Sequence, residues 1–270
     1  SDAWGWPIGT WCTSLITDMS GLFQDKVTFN EDISGWNVSS VKSMHSMFRK
    51  SYVFNQNISG WNVSSVTNMY GAFEMAYAFN QDIGKWNVGR VTQISSMFRL
   101  ASAFNQDIGG WNVGSVTLMT RMFDTASAFN QNISGWNVSK VTDMQYMFYK
   151  ASAFNQSIGV WNVGSVTTSM SNMFYNATAF NQNLCAWKNK IPQYPERTSL
   201  LVRDARIKSH PPYHLILSVL LVHAPSRQCL CPKGKGPAAA ATSPITVCIT
   251  ATSVGGIIVQ DGEEDRYLFS

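Results

Sequence analysis

The chain has 270 residues, 45% of them hydrophobic and only 13% charged, with a formal net charge of +4. Residues 1–187 carry ten Lys/Arg against ten Asp/Glu and are neutral, so the whole excess belongs to residues 188–270, at ten against six. The neutral part excludes a surface that tracks nucleic-acid phosphates, and the longest apolar run, 215–222 broken by Ser218, is far short of the roughly 20 residues of a membrane span.

Residues 1–28 come first. Trp11 lies 25 residues before Trp36, and Ile16 lies 25 before Val41, so this segment reads as an N-terminal cap and first half-repeat. No initiator Met and no signal peptide stand at Ser1, which reads as a mature form or a fragment.

From 29 to 187 one phrase recurs seven times. Phe29, Phe54, Phe79, Phe104, Phe129, Phe154 and Phe180 open it, each followed by Asn. Seven residues on stand Trp36, Trp61, Trp86, Trp111, Trp136, Trp161 and Trp187; five steps are 25 residues and the last is 26. A period of this size predicts a solenoid in which equal letters stack, with the tryptophans in one internal file. In the copy 54–78, Trp61 and Val63 share a face of an extended segment. Ser64 and Ser65 make a turn, and Val66 and Thr67 suit a short strand. Met69, Ala72, Phe73 and Ala76 then fall at i, i+3, i+4 and i+7, which predicts a helix of about two turns. The set Met144, Met147, Phe148 and Ala151 repeats that spacing. So short a helix persists only by packing on its neighbours.

Two asparagine columns sit beside these anchors. One is Asn30, Asn55, Asn80, Asn105, Asn130, Asn155 and Asn181; the other is Asn37, Asn62, Asn87, Asn112, Asn137 and Asn162. A polar side chain among apolar anchors has to be paired, so both are expected as buried structural ladders that satisfy corner backbone groups. Exposed Asn columns for a glycan or ice are the functional alternative. The sequons at Asn37, Asn62, Asn137 and Asn155 fall on these ladders, which leaves Asn57, Asn132 and Asn176 as the better glycan acceptors. Asp32, Asp82 and Asp107 share a column with Asn57, Asn132 and Ser157 and read as a solvated edge, one carboxylate per coil being too few for calcium. Thr67, Thr92, Thr117, Thr142 and Thr167 form a further file, thin support for ordering ice-like water. His45 is the only histidine of the repeats, at a position held elsewhere by Tyr70, Ser95, Thr120 and Gln145, which marks an exposed site. No nucleophile–base set, phosphate loop, cofactor motif or metal-ligand spacing is present, so the chain reads as no enzyme. The positions that differ in every copy, such as Arg49-Lys50, Glu74-Met75, Arg99-Leu100, Asp124-Thr125 and Tyr149-Lys150, are the surface a partner would read or simply drift.

The run F-N-Q-x-I-x-x-W-N-V-x-x-V-T-x-M-x-x-M-F-x-x-A resembles the BspA-like surface-protein repeat, a relative of the leucine-rich repeat, over roughly residues 11–187. The resemblance implies surface exposure and adhesion or protein interaction, without a cofactor. The ending Gln182 to Trp187 looks like a terminal repeat.

Cys12, at the place of Asn37, and Cys185 read as cap residues. They cannot bond each other: seven coils at about 4.8 Å separate them by roughly 34 Å, against the about 7 Å a disulfide spans. Cys185 is left with Cys229, Cys231 or Cys248 as a C-terminal staple in a secreted chain. Residues 188–270 lose every periodic anchor and read as an atypical tail, partly disordered or a gene-model artefact such as a translated intron.

The expectation is therefore an α/β repeat, a right-handed, leucine-rich-repeat-like solenoid of about seven short strand–helix coils with a poorly structured tail. Its expected role is a noncatalytic surface or secreted module that binds a protein or glycan, with no nucleic acid and no membrane span. The alternative is ice or polysaccharide binding through a ladder face.

Overall fold

The computed structural model describes residues 7–187. These residues stack coil on coil at the period of the phrase, but not as strand–helix units. Among the described residues there is no α-helix and no extended strand. The helical elements are two short 3-10 turns, Ile8–Thr10 and Cys185–Trp187. Parallel bridging is confined to single residues: Asp18, Ser43, Asn68, Gln93, Leu118, Asp143 and Ser169, each paired with the next. The expected α/β architecture is thereby overturned.

The reason lies in where the backbone hydrogen bonds go. A two-turn helix leaves its first N–H and last C=O groups without partners. Here the apolar segment 69–76 folds instead as overlapping four-residue turns. The N–H groups of Ala72, Glu74 and Ala76 donate to the carbonyls of Met69, Gly71 and Phe73 at 3.0–3.2 Å. The alternate N–H groups, of Met69, Gly71, Phe73 and Met75, leave the coil and donate to Gln93, Ser95, Met97 and Arg99 of the next one at 2.8–2.9 Å. Turns closing at i+3 put the same residues on one side as a helix would, so the apolar spacing is common to both.

This turn ribbon needs a left-handed backbone at two places per coil. They are occupied by Ser46 and Lys50, Gly71 and Met75, Ser96 and Leu100, Arg121 and Thr125, Tyr146 and Lys150, and Asn172 and Asn176, with φ of 53–61°. Most are not glycine, and each such residue is strained by about 1–2 kcal/mol. The lateral bonds and the core over-determine them.

The core is a set of ring files. Phe48 stacks on Phe54, the residue that opens the following phrase, at 3.9 Å between centroids and on Phe73, one period on, at 5.5 Å. Trp111, Trp136, Trp161 and Trp187 lie in one file at 6.3–6.5 Å, nearly parallel. Offset parallel rings at these distances add specific attraction to the area they bury. The single 26-residue step is absorbed at Thr167. The N–H of Thr168, not of Thr167, donates to Thr142 at 2.9 Å, where Thr142 itself donates to Thr117. Thr167 is thus an exposed extra residue outside the threonine file.

Candidate interaction surface

Each fixed polar residue of the phrase has a nameable bond, and the two asparagine columns do different things. In the first, Oδ1 of each Asn accepts the backbone N–H of the Asn one coil on: Asn55 on Asn30, Asn80 on Asn55, and so to Asn181 on Asn155, at 2.8–2.9 Å. It is a half-buried ladder, exposed only at its ends, Asn30 and Asn181. The glutamine after each Asn but Asn30, which sequence reasoning passed over, doubles the rail: Gln106 Nε2 donates to both the carbonyl and Oδ1 of Asn80.

The second column is no buried ladder. Asn37, Asn62, Asn87, Asn112, Asn137 and Asn162 are all exposed, and each Oδ1 accepts from its own coil, from the N–H two residues on, as Asn112 does from Gly114 at 3.1 Å. These are Asx turns, in which the side chain mimics a backbone turn. The preceding Trp buries its ring, and alternation then points the next side chain to water.

The tryptophans also carry an unforeseen function. Each of the seven indole N–H groups of the phrase donates to an isoleucine carbonyl of the coil before, from Trp36 on Ile8 to Trp187 on Ile158, at 2.9–3.3 Å. An indole donor needs a partner when buried, and this one ties adjacent coils.

Of the variable positions, Glu74 and Asp124 point inward, their side chains 7% and 5% exposed. Arg49 and Arg99 flank Glu74; Arg99 and Arg121 flank Asp124 at 3.3 and 2.9 Å. Burial works against the Arg99 charge, but the hydrogen bonds and charges of Glu74 and Asp124 outweigh it and hold its pKa above the ordinary value. This is an ion ladder running coil to coil, and it removes Glu74 and Asp124, though not the half-exposed arginines, from the surface a partner could touch.

What remains outside is uneven along the stack. One flank carries Val27, Tyr52, Val53 and Tyr77 in its first coils, and the same columns carry Ser102, Ala103, Ser127, Ala128 and Ser152 further on. Tyr52 and Tyr77 stack at 4.9 Å, and Val27, Val53 and Tyr77 are each exposed. Near the other end, Arg121 lies over the Tyr146 ring at 4.1 Å and Tyr149 stacks on Tyr175. His45 is exposed and meets Tyr70 edge to face at 5.1 Å. The threonine file is real for four members: Thr67, Thr92, Thr117 and Thr142 each donate Oγ1 to the coil before at 3.2–3.3 Å.

The sequon residues Asn57 and Asn132 are exposed in Asx turns, with Ser59 Oγ on Asn57 Oδ1 at 2.7 Å. Asn37, Asn62 and Asn137 are exposed as well, while Asn155 sits in the half-buried ladder and Asn176 is half-buried. The solvated-edge aspartates Asp32, Asp82 and Asp107 are exposed and each accepts the N–H two residues on. Cys12 is exposed and free. The proposed pairing of Cys185 with Cys229, Cys231 or Cys248, like the whole tail, lies outside the described residues. Among the described residues no group of three His, Cys, Asp or Glu could hold a metal ion, and no helix is long and apolar enough to cross a membrane.

Two overlapping segments, residues 2–108 and 78–187, match the family described as "Mycoplasma protein of unknown function, DUF285". No curated protein matches the chain. The two segments together span more than half of the sequence, and the chain belongs to the DUF285 repeat family.

Proposed function

We propose that this is a noncatalytic repeat module of the BspA-like, surface-exposed type, binding a protein or glycan through its sides. The observation that carries this reading is the split between fixed and varied positions. Phe, Trp, the first Asn and Gln of the phrase are consumed by coil-to-coil packing, whereas the exposed flank breaks the repeat, with Val27, Tyr52, Val53 and Tyr77 giving way to serine and alanine. Exposed tyrosines offer large contact area at low entropic cost and are enriched among residues that dominate binding. The inward-facing carboxylates, Glu74 and Asp124, are engaged by arginines rather than aimed at a cleft.

A glycan array and a pull-down with the intact chain test this reading. Replacing Tyr52 and Tyr77 together by alanine should weaken any ligand found by at least about tenfold. Binding unchanged in that variant would move the site off this flank, and no ligand in either assay would sink the reading. A second reading, ice or polysaccharide binding, draws on the exposed Asn and Thr files; absence of thermal hysteresis removes its ice-binding form.

A further inference from the structure

The flank that carries Tyr52 and Tyr77 is lopsided. In one column Val27, Tyr52 and Tyr77 are followed by Ser102, Ser127 and Ser152, three large side chains and then three small ones. In the column beside it Val53, 45% exposed, is followed by alanine in every coil. A third column stands two residues earlier in each coil and runs Asp25, Lys50, Met75, Leu100, Thr125 and Lys150. The coils are evenly spaced, so such columns keep one pitch along the stack. The rings of Trp36 and Trp61, Trp111 and Trp136, and Trp136 and Trp161 lie 6.3–6.5 Å apart, with planes 2–3° from parallel.

We propose that two copies of this chain pair through this flank, antiparallel, about a twofold axis between the coils of Tyr77 and Ser102. The pairing rests on the reading of the flank as the binding side and names its partner as a second copy. Reversal makes the surface complementary to itself. Tyr77 of one copy lies on Ser102 of the other, Tyr52 on Ser127 and Val27 on Ser152, each contact being made twice. The serines also suit an incoming tyrosine chemically. Each donates its hydroxyl to a carbonyl of the coil before at 3.3–3.4 Å, which leaves oxygen lone pairs to accept a tyrosine hydroxyl. In the same register Val53 meets Ala128 and Met75 meets Leu100. Asp25, bonded to Lys50 of its own copy at 3.0 Å, meets Lys150 of the other, so opposite charges face each other. The neighbouring alignments lack this match. Moving the axis half a coil one way sets Tyr77 on itself, and the other way sets Lys50 on Lys150. A parallel pair sets both tyrosines on themselves. A contact three columns wide is small, and the dimer is expected to be weak.

Exchanging one facing pair tests the register. Sedimentation of the 270-residue chain over rising concentration should show a mass that climbs to the dimer and stops there. Ser127→Tyr sets tyrosine against Tyr52 of the other copy and should weaken dimerisation at least about tenfold, as overpacking does. Tyr52→Ser/Ser127→Tyr puts large against small again and should recover the dimer. Tyrosine and serine both occur in this column already, and unchanged circular dichroism verifies that both variants fold. Were the tyrosines only an unspecific apolar patch, Ser127→Tyr would strengthen association instead. Stronger or unchanged association in Ser127→Tyr, no recovery in the double variant, a mass that passes the dimer, or a constant monomer mass would each overturn the pairing. A monomer that captures a ligand through Tyr52 and Tyr77 would still leave the proposed function standing, whereas a monomer without a ligand would sink both.

Discussion

At the scale of single residues, the phrase is fixed where one side chain does two jobs. Trp111 fills the core and also donates its indole N–H to Ile83 at 3.0 Å. Phenylalanine keeps an aromatic ring and removes the donor; the Ile83 carbonyl retains the backbone N–H of Trp86, so the lost bond is worth about 0.5–1.5 kcal/mol, with a further loss for the smaller volume. Trp111→Phe should therefore destabilise the protein by about 2 kcal/mol in a denaturant titration. Trp11 shares the column but is 51% exposed and has no indole bond among the described residues. Trp11→Phe should shift stability by no more than about 0.5 kcal/mol. Equal losses at the two positions would show that ring volume, not the bond, is what the phrase preserves. The Trp column was legible from its period alone, but its donor role was not, because the acceptor is a backbone carbonyl one coil away. Asn62 and Asn55 show the same limit: both follow a large apolar residue, yet one faces water and the other a neighbouring coil.

At the scale of the element, sequence reasoning took a turn ribbon for a helix. Met69, Ala72, Phe73 and Ala76 would line one side of either. What separates the two is the left-handed positions, and the residues there, among them Met75, Leu100 and Tyr146, are not ones that advertise a positive φ. Strain is tolerated because every second N–H finds an acceptor next door. Two opposite substitutions test this. Leu100→Gly relieves a left-handed leucine (φ 61°) and, after the entropy glycine adds to the unfolded chain, should stabilise by about 0.5 kcal/mol. Gly71→Ala (φ 58°) puts a Cβ 3.3 Å from Glu74 Oε2 and Ser46 Oγ and should cost about 1–2 kcal/mol. Were Leu100 in an ordinary helix the first sign would reverse, which thermal melts of the pair would reveal. The ion ladder was equally hidden, since Arg49, Glu74, Arg99 and Asp124 look like variable surface letters until stacking aligns them. Glu74→Gln leaves Arg49 without its carboxylate and Arg99 with Asp124 alone. Breaking a buried pair costs about 3–5 kcal/mol, but the arginine side chains are about a third exposed and screened by solvent, so about 1–2 kcal/mol is expected. That difference should shrink as salt is raised, and a salt-independent loss would point to packing instead.

At the scale of the whole molecule, each coil bonds only to the two beside it, so stability is a sum of coil and interface terms. The spacing of the letters made this much visible before any geometry, because a period of 25 aligns Phe104 on Phe129 whatever the coil's internal path. Such a stack should survive loss of a coil if the cut preserves register. Excising residues 129–153 joins Ala128 to Phe154 exactly as it was joined to Phe129, keeps the ladder from Arg49 to Arg121, and loses only the Arg121–Tyr146 contact and the tyrosines of that coil. The shortened chain should fold with an unchanged circular dichroism shape, a lower denaturant midpoint, and a smaller m-value in proportion to the surface removed. Excising 24 residues instead of 25 slips every column below the cut by one place, turning Trp161 out of its file and stranding the Asn155 rail. If the 24-residue and 25-residue deletions were equally stable, side-chain register would not be what holds the coils together.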